Sequence, residues 1–483
     1  GQESVYSIYG SVTASWKDRY YLEVQGRNDW SSTLPKGNNS YFYPGISFNW
    51  NFSQDIDVPQ LQFGTVRLSW ADVGRPATRY FALRQYNLST IPNTNTGKVE
   101  PPLELFSGNI KPERKREFEI GGNLRFFPQN RIEIDFSYYN AIIYDQIMGI
   151  PLTSATGYNK IKINAGQVNN HGYEIMLKGA ILAHKDYRWD VTFNLANQFS
   201  EVKELYGGIT RHILGSNNGW QVVAENGKRA GEIMTYDYLK TPDGQRVVGS
   251  DGLYQLDKDA GFKTVGNINP SLIGGIATDF YYKHFNLRVG LDYSFGSRLI
   301  SMSNYYLLGT GTVKETLANR DEASGGIPYY IQDGTERRIK LNSHSATAPS
   351  DSKDGRVYHD GMILNGMKKE GDKYVPNDMI VPVATYWSTF IHDMQDNLQP
   401  DYIYKNNYVK LREIGFAYTL PKTVSEKMHL QKVTLSLTGR NLLYLHKSIP
   451  NIDAESLQGT NSYLEYSIFP MHRSWGFGVN VSF

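Results

Sequence analysis

For ten residues or more at a time, apolar and polar side chains alternate one by one along this chain. From residue 187, Tyr187, Trp189, Val191, Phe193, Leu195 and Phe199 share one phase, while Arg188, Asp190, Thr192, Asn194, Gln198 and Ser200 share the other. From residue 285, Phe285, Leu287, Val289, Leu291, Tyr293 and Phe295 oppose Asn286, Arg288, Asp292 and Ser294. The chain ends the same way, with Trp475, Phe477, Val479, Val481 and Phe483 opposing Ser474, Asn480 and Ser482. Successive side chains of a strand point to opposite faces, so each segment is a β-strand with one apolar and one polar face.

Strand length separates the two all-β architectures that share this pattern. Strands of soluble sandwiches usually run about 5–6 residues, whereas a membrane-crossing strand needs roughly 9–11. Thirteen segments qualify, most of them long enough to span: 4–16, 19–30, 41–52, 61–71, 113–127, 130–145, 168–183, 187–203, 271–282, 285–300, 406–420, 431–444 and 473–483. Their connections are sorted by length. Counting back from the C-terminus, the long stretches 445–472, 301–405, 204–270, 146–167 and 72–112 alternate with short ones at 421–430, His284, 184–186, Pro128-Gln129 and 53–60. The stretch 31–40 and the tight Lys17-Asp18 turn come next. Outer-membrane barrels have short periplasmic turns and longer extracellular loops; a sandwich has no reason to sort its connections. The pattern predicts a transmembrane antiparallel β-barrel with Phe483 on the periplasmic side and large extracellular loops at 72–112, 204–270 and 301–405. Val409 and Leu411 are out of phase with Ile414, Phe416 and Tyr418, which predicts a β-bulge near Arg412-Glu413.

Thirteen is odd, and single-chain bacterial barrels have even strand numbers. Either a strand is hidden within 301–405, or Gly1 lies mid-barrel and earlier strands precede it. The second reading is preferred, because no signal peptide opens the chain either; on it, residues 1–483 are the C-terminal part of one barrel domain.

Composition agrees. The chain holds 35 Tyr, 21 Phe and 8 Trp, and amphipathic rings suit a membrane–water interface. No run approaches 18 apolar residues, so no transmembrane helix is expected; the mean hydropathy of −0.47 is uninformative for barrels, whose strands average out. With no cysteine, thiolate metal sites, disulfides and cysteine nucleophiles are excluded. A formal net charge of +2 gives no electrostatic case for nucleic acid.

Several stretches resemble the SusC/RagA family of TonB-dependent outer-membrane transporters. They are Tyr41-Phe42-Tyr43-Pro44-Gly45-Ile46-Ser47; Gly108-Asn109-Ile110-Lys111-Pro112-Glu113 with Glu117-Phe118-Glu119-Ile120-Gly121; and Asn164-Ala165-Gly166 with Asn169-Asn170-His171-Gly172-Tyr173-Glu174. Further along come Asp251-Gly252-Leu253-Tyr254-Gln255, Gly266-Asn267-Ile268-Asn269-Pro270, Tyr408-Val409-Lys410-Leu411-Arg412-Glu413 and Gly439-Arg440-Asn441-Leu442. Lys410 stands where the family usually has Arg, and Asn267 where it has Asp. The resemblance runs from near residue 40 to Phe483. It implies a barrel of about 22 strands, a plug and a TonB-contacting box upstream, a SusD-like surface lipoprotein as cap, and import of oligosaccharides or, in some members, peptides.

Little points to catalysis. His-Glu-x-x-His, Gly-x-Ser-x-Gly and P-loop patterns are absent, and Gly309-Thr310-Gly311-Thr312 reads as a turn. No catalytic residue, resident cofactor or metal is expected. A weak calcium reading attaches to Asp251, Asp257 and Asp259 in one long loop, without EF-hand spacing. Glu23, Arg27, Glu133, Asp135, Arg188, Asp190, Arg288 and Asp292 oppose the apolar phase and should line the lumen, since charges facing lipid are costly. They either pair with the plug or hydrate a passing solute. Trp220, Tyr305, Tyr306, Tyr329, Tyr330, Tyr386 and Trp387 are loop aromatics that either stack on ligand, pack the loops together or face the lipoprotein cap. Competing readings are a passive porin or adhesion barrel, a barrel enzyme and a secreted glycan-binding β protein.

Overall fold

The computed structural model describes residues 2–79, 86–217, 219–392, 400–457 and 463–483, so parts of the long loops fall outside the described residues. All thirteen expected strands form and pair in one antiparallel sheet in chain order. They are β1 Val5–Trp16, β2 Tyr20–Ser31, β3 Ser40–Trp50, β4 Leu61–Arg75, β5 Glu113–Phe126, β6 Ile132–Tyr144 and β7 Gln167–Ala183. β8 Tyr187–Glu204, β9 Leu272–Tyr282, β10 Phe285–Phe295, β11 Tyr408–Thr419, β12 Lys432–Lys447 and β13 Ser474–Ser482 complete the sheet. Among the described residues no strand of this sheet comes from 301–405; that segment folds into small sheets and helices of its own.

Register carries the alternation across the sheet. Gly122, Phe136, Ile175 and Leu195 form one row across β5–β8. The next row on the opposite face is Asn123, Asp135, Met176 and Asn194, continuing through Gly275 and Asp292 to Lys410. The apolar face is left open: Val12 is 73 % exposed, and Phe136, Leu177, Phe280, Leu287, Phe416 and Phe477 are also exposed. Soluble proteins rarely expose an apolar surface this continuous, whereas a bilayer covers it.

The short connections lie at one end of the sheet and the long ones at the other. At the short-turn end, Tyr20 stacks on Trp50 with ring centroids 6.1 Å apart, and Trp16 lies 5.5 Å from Tyr20. Their polar tips are satisfied: Tyr20 Oη and Trp50 Nε1 each donate to Asp55 at 2.8 Å. Rings in the apolar layer with hydrogen-bonded tips toward the turn are the interface arrangement that Tyr and Trp favour.

The phase break is a bulge. β10 pairs Gly290 with Glu413 but Leu291 with Leu411, and on the other side β12 steps from Leu443 to Arg440 over the same two residues of β11. Arg412 is the extra residue. Bulges re-aim side chains, and this one turns the Arg412 guanidinium onto Asp292, Glu455 and Asn441 Oδ1, the last at 2.8 Å.

The long loops fold together. Residues 298–301 pair with 403–405 and with 464–465, joining two loops, and 247–248 pair with 367–368. A shared core of Trp220, Val222, Ile233, Ile300, Tyr305, Val381, Tyr402 and Ile403 draws on segments from 220 to 403.

Candidate ligand site among the long loops

Helix α1, Met302–Gly309, leaves the strand 298–301 with Ser301 as its N-cap; the Ser301 hydroxyl accepts from Asn304 N at 3.1 Å. Helix α2, Val383–His392, carries Tyr386 and Trp387 edge to face, 4.8 Å between centroids. After α2, a 3-10 turn ending at Tyr402 leads into the short strand Ile403–Lys405, which carries Tyr404. Tyr402 meets Tyr305 edge to face at 5.2 Å. From another loop, Tyr238 donates to Asp401 Oδ2 at 2.8 Å, with Arg246 stacked 4.1 Å above the Tyr238 ring.

Together these elements enclose a recess of about 230 Å³ lined by Tyr238, Glu315, Tyr386, Trp387, Tyr404 and Asn451, with Asp401 and Tyr402 beside them. Burial pushes the Tyr386 and Tyr404 phenols up to about 12, and carries Tyr238 and Tyr402 higher still. At neutral pH all four are neutral O–H donors, while Asp401 and Glu315 supply acceptors. The recess therefore offers flat apolar rings with donors and acceptors at their edges.

Of the loop aromatics singled out in the sequence, Tyr386 and Trp387 line this recess. Trp220, Tyr305, Tyr329 and Tyr330 are buried; Tyr329 donates to Asp360 at 3.1 Å and Tyr330 to Asp351 at 3.4 Å. In this conformation those four are packed among the loops. Tyr306 lies against Tyr466 at 5.8 Å, beside a separate recess that includes Glu465 and Asp453. Tyr238, Asp401 and Tyr404 escaped the sequence reading, and no local pattern marked them.

The eight charged residues expected in the lumen all lie on the polar face, and most pair within the wall itself. Arg67 grips Asp135 through two hydrogen bonds of 2.8 and 3.1 Å. Arg125 donates to Glu133 at 3.2 Å, Arg27 to Asp29 at 2.7 Å, and Arg188 to Asp190 at 2.6 Å. Arg288 lies 3.6 Å from Asp279, and Asp292 takes Arg412. Glu23 has no ion pair among the described residues; its row neighbours are Thr13 and Ser47. Asp135, Ser137, Glu174, Asn194, Asp292, Ser294 and Tyr408 face a recess of about 590 Å³ on this wall.

Asp251 and Asp257 cap their own turns, accepting from Leu253 N at 3.0 Å and Ala260 N at 3.1 Å, while Asp259 borders a shallow recess beside Asp257. Among the described residues no group of three or more His, Asp or Glu is placed to hold a metal ion.

The family model for the TonB dependent receptor-like β-barrel matches residues 1–292. The chain belongs to this family. Its place is the bacterial outer membrane. It is 22 % identical to TonB-dependent receptor P3 of Formosa agariphila over 513 residues, covering 99 % of this chain and 45 % of that protein. It is 22 % identical to TonB-dependent receptor SusC of Bacteroides thetaiotaomicron, covering 63 % of this chain and 32 % of SusC. The chain thus spans less than half the length of these curated relatives. The fold matches the RagAB peptide transporter with a TM-score of 0.70 at 15 % identity, over 100 % of this chain and 47 % of that one. The closed-closed state of the RagAB peptide importer gives 0.72 at 16 % identity, over 99 % of this chain and 48 % of that one.

Proposed function

We propose that this barrel is the membrane-embedded part of a TonB-dependent importer that brings oligosaccharides across the outer membrane. An N-terminal plug and earlier strands of the same protein complete the pore, TonB supplies the pull on the plug, and a SusD-like surface lipoprotein caps the loops. The barrel acts as a wall and as part of the ligand cradle; it breaks no bond.

One observation carries the ligand class: the recess ringed by Tyr238, Tyr386, Trp387 and Tyr404, with Asp401, Glu315 and Asn451 at its edge. The apolar face of a pyranose stacks on such rings while its hydroxyls meet the carboxylates, the amide and the phenols. Beneath it, the polar wall holds most of its charges in pairs, such as Arg67 with Asp135 and Arg412 with Asp292, so a neutral solute meets a largely compensated polar surface. Kinship to SusC and the fold shared with the RagAB transporter support the import reading.

Titration calorimetry on the full-length protein, with and without its lipoprotein, tests this. A panel of neutral oligosaccharides should include one that binds and whose affinity falls at least tenfold on Trp387→Ala. Binding of peptides alone, unaffected by that change, would overturn the oligosaccharide assignment.

A further inference from the structure

The long segment between β10 and β11 builds a small sheet apart from the barrel, in the order Arg338–Lys340, Ile327–Ile331, Tyr358–Ile363 and Ile380–Pro382. The last of these strands runs directly into α2, which carries Tyr386 and Trp387. From the third strand, His359 meets His344 in the connecting stretch 341–357. Their Nδ1 atoms are 2.9 Å apart, and the rings stack with centroids 5.1 Å apart and 25° between planes. Both residues keep part of their surface in solvent, and Ser343, Ser345 and Arg356 nearby in the chain are exposed.

Two neutral imidazoles set this way hold one proton between them: one Nδ1–H donates and the other Nδ1 accepts. Two bare nitrogens would repel each other, and so would two protonated ones. A divalent ion can take the place of that proton. Metal–nitrogen bonds of about 2.0–2.1 Å, set about 90–109° apart, hold neighbouring ligand nitrogens about 2.8–3.4 Å from each other, a range that includes the observed 2.9 Å. No proton is lost overall, because the donor ring moves its hydrogen from Nδ1 to Nε2 by exchange with solvent, leaving both Nδ1 lone pairs for the ion. Imidazole suits Zn2+, Cu2+ and Ni2+, whereas Ca2+ and Mg2+ demand oxygen. Charge does not oppose a cation here. Along 344–360 the chain carries Asp351, Asp354 and Asp360 against Lys353 and Arg356, and Lys353 is held by Glu336 at 2.6 Å. Arg338 and Lys340 lie across the sheet, opposite Ile331 and Tyr329.

We propose that His344 and His359 form a two-imidazole site for a divalent transition-metal ion of the Zn2+ or Cu2+ kind, with water filling its remaining positions. One ligand comes from the connecting stretch and the other from a sheet strand, so the bound ion staples the connection to the sheet. Tyr358–Ile363 pairs onward with Ile380–Pro382, Gly361 opposite Pro382. The staple therefore braces the strand from which α2 and one wall of the aromatic recess rise. Two protein ligands leave the ion exchangeable, so the brace responds to the metal content of the medium.

The test uses the full-length transporter, purified in detergent without a histidine tag, with Cu2+ as the probe because nitrogen sites bind it most tightly among these ions. The parent should bind one Cu2+ per chain more than His344→Ala or His359→Ala does. The electron paramagnetic resonance spectrum of that ion should show coupling to two imidazole nitrogens. His446→Ala, at a histidine that meets Ser448 instead, should keep the ion. With Zn2+ at ten times its Kd, tryptic cleavage after Lys353 and Arg356 should slow roughly tenfold in the parent, relative to cuts elsewhere, and stay unchanged in both variants. A hydrogen bond alone would protect the parent equally with and without Zn2+. Either variant suffices if the other fails to give a heat-resistant barrel on gels. Equal Cu2+ uptake by parent and variants, a parent spectrum without the two-nitrogen coupling, or cleavage that ignores Zn2+ would overturn the proposal.

Discussion

Arg412 Nη1 lies 3.1 Å from Glu455 Oε2, tying the bulge of β11 to the loop between β12 and β13. Lys410, almost fully buried, and Tyr408, which donates at 3.2 Å, hold the same carboxylate. Removing one member of a buried charge cluster leaves its partners uncompensated, at a cost of about 3–5 kcal/mol. Glu455→Gln should accordingly release the 448–473 loop, seen as faster proteolysis there, with little change in the rest of the barrel. Unchanged cleavage would mean that the cluster does not anchor the loop.

The same cluster sets an acid limit. Burial raises the Glu455 carboxyl, and hydrogen bonds from Arg412 and Lys410 more than reverse this, leaving it below its ordinary 4.5. A group whose folded pKa is depressed gives stability that is present above its unfolded value and lost as pH falls through the folded one. Hydrogen exchange of 448–473 should therefore be flat from neutral pH to about 5, after correction for intrinsic rates, and show loop opening only below about 4. Opening that set in near pH 6–7 would point to a histidine instead.

Val289 and Arg288 test the two faces. Val289 sits between Thr278 and Ile414 on the lipid face, while Arg288 sits between Asp279 and Gly415 on the polar face. Val289→Arg should lower folding stability in liposomes by roughly 2–4 kcal/mol if near the midplane, and Arg288→Val should be tolerated for assembly. Equal effects would contradict the assignment of faces.

Tyr238 and Asp401 test whether the recess depends on two loops meeting. Tyr238→Phe keeps the ring and removes the 2.8 Å hydrogen bond, so ligand affinity should fall by about 1 kcal/mol, roughly fivefold. Because the Tyr238 phenol is raised, the parent should bind equally well from pH 6 to about 9. An affinity that dropped as pH passed 8 would implicate some other group.

The strands and the bulge were legible because both are local: a strand face is written at every second residue, and a bulge is a slip in that phase. The polar face was legible for the same reason. What the sequence did not show is pairing over distance. Asp401 lies 163 residues from Tyr238, and Glu455 lies 43 from Arg412. Nor did it separate aromatics that pack from those that line a recess. Tyr305 and Trp387 look alike in sequence, but the loops bury the first in a core built from several segments. That core forms only when the loops meet, so no local pattern encodes which ring is presented.

The central claim is energised import through the loop recess. It is tested most directly by uptake of a labelled oligosaccharide in cells carrying the intact gene, with and without a protonophore, and with Trp387→Ala. The account predicts uptake that stops when the proton gradient collapses and falls at least tenfold in the variant at limiting ligand. Uptake that continued unchanged in de-energised cells would contradict it and indicate a passive pore.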